Sequence, residues 1–118
     1  MLNFSGLKIY LSSTSTDMRK GINGLSLAVV SQLELNPLCG HVFVFYNKGC
    51  NRLKLLYYDR NGFAMWYKVL EKGRFTIPKI KGSDVSLKLD SRQLEWLLQG
   101  LDISKLRGHA ELKYTDIY

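Results

Sequence analysis

The chain has 118 residues, of which 46% are hydrophobic and 23% charged, proportions typical of a soluble globular protein with a single domain over residues 1–118. It contains no run of eighteen apolar residues and no secretory signal pattern, so we expect a cytoplasmic protein with no membrane partner. The net charge of +7, from 17 basic and 10 acidic residues, makes a polyanion a candidate partner.

The first third of the chain predicts a strand followed by a helix. Residues 8–12 have the pattern of a short strand, and apolar residues at steps of three and four predict a helix over 17–33. Thr16 is the expected N-cap of this helix. Glycine inside a helix costs about 1 kcal/mol relative to alanine, so we expect Gly21 to allow a close approach between the helix and a sheet.

The middle of the chain predicts three antiparallel strands. Residues 41–46 are almost entirely apolar, which is typical of a central strand covered on both faces. Strands over 52–58 and 63–70 flank the sequence Asp-Arg-Asn-Gly, which is a hairpin signal. We therefore expect an antiparallel β-meander.

The last third predicts one more strand and a second helix. Residues 85–89 alternate between apolar and polar, as in a half-buried strand. The helix over 91–99 is expected to begin at Asp90, with Gln93 completing a capping box and Gly100 just after its end. Residues 109–118 alternate weakly and predict an additional edge strand. The fold class is therefore α+β, a meander packed by two main helices.

The excess of positive charge comes from one segment of the sequence. Residues 48–81 contain nine basic and two acidic residues, which accounts for the whole net charge of +7. Such clustering is typical of a surface that binds a polyanion. The alternative is a solvated basic surface that only keeps the protein soluble.

Aromatic residues alternate with these cations in the predicted hairpin. Side chains on a strand alternate between its faces, so Arg52 and Lys54 share one face with Tyr58 and Tyr67. Bases beside tyrosines suit phosphate contact and stacking on nucleobases, whereas the alternative is that the aromatics are core and lysine stems cover them. The candidate nucleic-acid-binding residues are Arg19, Lys20, Lys48, Arg52, Lys54, Tyr58, Tyr67, Lys68, Lys72 and Arg74.

The sequence contains no motif that predicts catalysis. It has no G-x-S-x-G, Walker or H-E-x-x-H pattern, and no carboxylate pair accompanies a histidine at a spacing suited to metal-dependent phosphodiester chemistry. Cys39, His41, Cys50 and His109 lack the spacing of paired zinc knuckles. We expect a protein that is not an enzyme and has no metal or other cofactor.

Four blocks of the sequence resemble a known family. They are TDMRKGINGL at 16–25, GHVFVFYNKGCNRLKLLYYD at 40–59, GFAMWYKVLEKGRF at 62–75 and VSLKLDSRQLEWLLQGLD at 85–102. In content and order they resemble the small accessory protein of bacterial insertion sequences of family sixty-six, often labelled TnpB and unrelated to the RNA-guided nuclease of that label. Ser91 stands where the family often has a proline, and the tail AELKYTDIY is less basic than is usual there.

The resemblance implies a role beside a separate transposase, whose acidic catalytic triad carries out strand transfer. We expect a non-catalytic accessory protein of transposition that binds DNA at the transposon ends through the basic, aromatic-rich hairpin. The alternative is a protein–protein adaptor between the transposase and its companion accessory protein, since large aromatics are typical interface anchors. A third alternative, a nuclease, would need metal-dependent cleavage that is lost when Asp59 or Glu71 is replaced.

Overall fold

Five strands and two helices make up the part of the chain that the structure describes, residues 3–106 of a computed structural model. The elements are β1 (Ile9–Ser12), α1 (Ile22–Leu33), β2 (Val42–Tyr46), β3 (Arg52–Asp59), β4 (Gly62–Val69), β5 (Ser86–Leu89), α2 (Ser91–Leu98) and a 3-10 turn over Ile103–Lys105. The edge strand predicted at 109–118 lies outside the described residues. Within 3–106, neither helix is long and apolar enough to cross a bilayer.

The strands form one mixed sheet in the order β4-β3-β2-β1-β5. β2, β3 and β4 make the predicted antiparallel meander. β5 is antiparallel to β1, but β1 runs parallel to β2, with Ile9 opposite Val42. The α+β class is confirmed, whereas a purely antiparallel sheet is wrong at β1, because α1 returns the chain to the end of the sheet where β1 began.

The two helices cover opposite faces of the sheet. On one face α1 buries Leu25, Val29 and Leu33 against Phe43 and Phe45 of β2. On the other face the core comprises Phe4, Ile9, Leu11, Val42, Val44, Tyr46, Leu53, Leu55, Phe75, Leu89, Ile103 and, from α2, Leu94 and Leu97. Every residue of β2 is buried, which confirms the prediction of a central strand covered on both faces.

The start of α1 differs from the prediction. The helix begins at Ile22 with Gly21 as its N-cap, rather than at residue 17 with Thr16 as its cap. Asp17 instead accepts a hydrogen bond from the backbone N–H of Arg19, and such local bonds compete with helix formation. The prediction for Gly21 is also wrong, because no atom lies within 4 Å of where its Cβ would be.

The ends of α2 agree with the sequence. Asp90 accepts from the N–H of Gln93 at 2.8 Å, and the side chain of Gln93 accepts from the N–H of Asp90 at 2.9 Å. Gly100 follows the helix with a φ of +84°, a conformation that glycine adopts without steric cost. The capping box and the terminating glycine are therefore confirmed.

Candidate nucleic-acid interface

The turn between β2 and β3 presents Lys48 and Arg52 at one end of the sheet. The side-chain oxygen of Asn47 accepts from the N–H groups of Asn51 and Arg52, both at 3.0 Å. The Asn47 amide also donates to the side-chain oxygen of Asn51 at 2.7 Å. These bonds close residues 47–52 into a compact turn, so the exposed side chains of Lys48 and Arg52 leave from an ordered backbone.

The loop before α1 lies beside this turn. The N–H of Thr16 donates to the carbonyl of Tyr46 at 2.8 Å, which fixes the loop to the end of β2. The ammonium group of Lys54 donates to the carbonyls of Met18 and Lys20, each at 2.8 Å. Arg19 and Lys20 are exposed on the outer side of the loop.

A polar cleft of about 530 Å³ separates the loop from the turn. Its cations are Arg19 from the loop and Lys48 and Arg52 from the turn, and its single acid is Asp17. Thr16 also lines the cleft, and its hydroxyl is buried without a hydrogen-bond partner among residues 3–106. The cleft thus has an excess of cations over acids, a composition that suits a phosphate.

Asp17 and Arg19 form an ion pair within the loop. Arg19 Nη2 lies 2.8 Å from Asp17 Oδ2, and the hydrogen bonds from Arg19 lower the pKa of Asp17 to about 2. The same carboxylate raises the pKa of Arg19. Both side chains are exposed, so the pair contributes little to folding, but it partly occupies a guanidinium that would otherwise be free to bind an anion.

An aromatic side chain borders the cleft on β4. Arg52 Nη1 donates to the hydroxyl of Tyr67 at 3.1 Å, and Lys54 Nζ lies 4.7 Å from the centre of the Tyr67 ring. Tyr67 is 43% exposed. A ring with an accessible surface beside an arginine is an arrangement found where proteins stack on nucleobases.

The loop after β4 adds two further cations at the same end of the sheet. The N–H of Leu70 donates to Asn51 O at 2.9 Å, and the N–H of Phe75 donates to Cys50 O at 2.7 Å. Phe75 is buried, so it anchors the loop while Lys72 and Arg74 stay exposed. We call this end of the molecule the basic end, comprising Arg19, Lys20, Lys48, Arg52, Lys72 and Arg74 with Tyr67 beside them.

Three of the ten predicted site residues are not part of the exposed surface of the basic end. Lys54 is only 6% exposed and its ammonium group is bonded to two carbonyls, so it holds the loop in place. Lys68 is on the opposite face and donates to the carbonyl of Leu98 at 2.9 Å. Tyr58 packs edge-on against Phe63, roughly 20 Å along β3 from Arg52 at about 3.4 Å per residue.

The residues that shape the cleft were not among the predicted site residues. Asn47, Asn51 and Asp17 hold the backbone of the turn and the loop, but none of them is a cation or an aromatic. A signal was present for the turn, where Asn47 and Asn51 flank Gly49, since asparagine near glycine is typical of turns stabilised by side-chain bonds to the backbone. What the sequence could not supply is the proximity of two loops that are about thirty residues apart along the chain.

The comparisons with known proteins identify the family. The family of IS66 Orf2-like proteins matches residues 7–108, and the chain belongs to it. The chain is 37% identical over 112 residues to uncharacterized protein y4jC of Sinorhizobium fredii (strain NBRC 101917 / NGR234), covering 95% of this chain and 94% of that relative. It is 35% identical over 96 residues to uncharacterized protein y4hO of the same strain, covering 81% and 82%. No solved structure matches the chain.

Membership of this family confirms the resemblance drawn from the four sequence blocks. It indicates an accessory role in the transposition of insertion sequences, in a family that is not a known class of enzyme. Among residues 3–106, no group of three or more histidine, cysteine, aspartate or glutamate side chains could hold a metal ion.

Proposed function

We propose that the protein is a non-catalytic, DNA-binding accessory factor of insertion-sequence transposition and that the basic end holds the phosphate backbone of the transposon end. The observation that carries the proposal is the cleft in which Arg19 from one loop meets Lys48 and Arg52 from another, with Asp17 as its single acid. Contacts to phosphates fix the position of a protein on DNA without reading the sequence.

The proposal predicts binding that weakens steeply with salt. Neutralising phosphates releases condensed counterions, so the logarithm of the affinity falls by about 0.9 per contacted phosphate for each tenfold rise in salt. If all six cations of the basic end contact phosphates, the slope is about −5. Fluorescence anisotropy with labelled duplexes of the transposon end, measured from low to moderate salt, gives this slope. A flat response, or no binding at low salt, would contradict the proposal.

A matched pair of triple variants separates the basic end from the overall charge. Arg19→Glu with Lys48→Glu and Arg52→Glu changes three cations that line the cleft. Lys8→Glu with Arg60→Glu and Lys88→Glu makes the same change in net charge at exposed positions toward the opposite end of the sheet. We expect the first variant to lose at least about a hundredfold in affinity, and the second to lose far less, because screening weakens charges beyond about 10 Å. Equal losses would show that net charge alone attracts DNA.

The adaptor between the transposase and its companion accessory protein is the alternative function. It would depend on apolar anchors rather than on the basic end, so co-purification with the transposase should survive both nuclease treatment and the cleft triple variant. Loss of the complex after either treatment would favour DNA binding instead.

A further inference from the structure

β4 has eight residues, and its outer edge pairs with no other strand within residues 3–106. The N–H of Leu70 bonds to Asn51 O, and the register between β3 and β4 continues from there without interruption. Because hydrogen-bonded pairs alternate in an antiparallel ladder, every second residue of β4 directs its N–H and C=O groups away from β3. These residues are Phe63, Met65, Tyr67 and Val69, and no strand within residues 3–106 pairs with them.

β4 lacks most of the features that usually protect an edge strand. Natural edges are short, bulged, interrupted by proline or occupied by charged side chains. The opposite edge follows this rule, since β5 has four residues and carries the exposed Lys88. β4 has neither a bulge nor a proline, and its one charged residue, Lys68, has its ammonium group bonded to the carbonyl of Leu98.

The side chains that leave the α1 face of this edge are apolar and accessible. Met65 is 37% exposed, Tyr67 43% and Val69 47%. A strand with free backbone groups and exposed apolar side chains is a template for pairing with another strand.

We propose that β4 pairs antiparallel with β4 of a second copy of this chain, joining the two sheets across a two-fold axis at Trp66. In this register Met65 lies opposite the partner's Tyr67, and Phe63 opposite the partner's Val69. All the outward N–H and C=O groups of these residues then find partners. On the other face, Lys68 lies opposite the partner's Ala64, so the register places no like charges together. The strand is therefore complementary to itself, which is the requirement of a two-fold interface.

The α2 face of the same edge also favours a second copy. A groove of about 620 Å³ runs beside Trp66, lined by Phe4, Leu94 and Leu98. Arg92 and Glu95 on its rim contribute one charge of each sign, so an identical surface is not repelled there. With Trp66 at the axis, the partner's Trp66 lies directly opposite and extends the apolar wall of the groove.

Sedimentation velocity of the full, DNA-free chain tests this proposal, which does not depend on DNA binding. We expect a dimer that strengthens as salt is raised, because each copy carries a net charge of +7 and salt screens their repulsion. Met65→Lys should weaken the dimer at least about tenfold, since it adds two ammonium groups near the axis. Leu27→Lys is the matched control, because Leu27 is 69% exposed on α1; it adds the same charge and should leave the dimer intact. Far-UV circular dichroism checks that both variants fold.

A second variant tests the register itself. Met65→Glu combined with Tyr67→Lys places each new carboxylate opposite a new ammonium group of the partner, so the dimer should return. A double variant as weak as Met65→Lys would overturn the proposal. A dimer that survives Met65→Lys would also overturn the proposal. A full chain that remains monomeric at all salt concentrations would overturn it too, and would leave residues 107–118 or another protein as the candidates that cover the edge of β4.

Discussion

Lys54 connects the sheet to the loop that carries Arg19. Its ammonium group donates hydrogen bonds to the backbone carbonyls of Met18 and Lys20. Removing the donor leaves two partly buried acceptors unpaired, which costs about 1–3 kcal/mol. We therefore expect Lys54→Met to lower the free energy of unfolding by this amount, measured by urea denaturation.

Arg52 gives the matching control, because it lies two residues away on the same face of β3 and is exposed. Arg52→Met should change stability by less than about 0.5 kcal/mol, as is usual for surface substitutions, yet weaken DNA binding. If the two variants lose equal stability, Lys54 does not have the structural role described above.

Asp17 forms an ion pair with Arg19 and should therefore limit the affinity that we propose for the basic end. Its pKa of about 2 lies below the pKa of an aspartate in an unfolded chain. The carboxylate is therefore charged, and keeps its ion pair with Arg19, at every pH well above 2. Asp17→Asn keeps an oxygen that can accept from the N–H of Arg19 but removes the negative charge. We expect DNA affinity to rise several-fold and the salt slope to steepen by about one.

Asp59→Asn is the control for this variant in the same anisotropy assay. Asp59 is an exposed acid at the end of β3 opposite Arg52 and does not line the cleft, so its replacement makes the same change in net charge away from the basic end. Equal gains from both variants would contradict a specific role for Asp17.

The positions of Lys54 and Lys68 show where sequence reasoning about the site reached its limit. Alternation along β3 and β4 assigned the faces of these side chains, because that period is a property of the strand itself. It did not reveal that residues 18–20 cover Lys54, or that the end of α2 accepts from Lys68. Both contacts join residues thirty or more positions apart, so no local pattern carries them.

The C-terminal end of α1 is strained at Glu34. This residue ends the helix with a φ of 58° and a ψ of 38°, a left-handed conformation that costs a residue with a Cβ about 1–2 kcal/mol. A negative charge is also unfavourable at a helix C-terminus. We expect Glu34→Gly to raise the free energy of unfolding by about 1 kcal/mol, measured as an increase in Tm.

Two further variants separate the contribution of the charge of Glu34 from that of its left-handed backbone conformation. Glu34→Gln removes only the charge and should give a smaller gain, about 0.3–1 kcal/mol. Gly100→Ala, at a φ of +84° after α2, should have the opposite sign and cost about 1 kcal/mol. A destabilising Glu34→Gly would show that this side chain makes a contact that outweighs the strain.

The elements with local signals were predictable and those that depend on distant partners were not. β3, β4 and α2 follow from alternation, the hairpin sequence and the capping box, all within a few residues of one another. The direction of β1 relative to β2 depends on where α1 delivers the chain, and the start of α1 depends on competing bonds around Asp17. Pairing of β1 with β5 joins residues about eighty positions apart.

Across the whole molecule, the basic segment of the sequence does not become one basic surface. β3 has eight residues and rises about 3.4 Å per residue, so Arg52 and Arg60 are at opposite ends of the sheet. The basic end gathers Lys48, Arg52, Lys72 and Arg74 from this segment and adds Arg19 and Lys20 from outside it. Cations that are close in the sequence therefore lie at different ends of the sheet, which counting charges along the sequence could not show.

The interior position of β1 has a consequence for how the protein is made. β1 precedes the other four described strands along the chain, yet it lies between β2 and β5, and residues 86–89 of β5 are translated long after it. Until β5 is made, the edge of β1 that pairs with it is exposed in the nascent chain, and an exposed strand edge favours aggregation. We therefore expect a product that terminates before residue 86 to aggregate, so full-length translation matters more for this chain than its small size suggests.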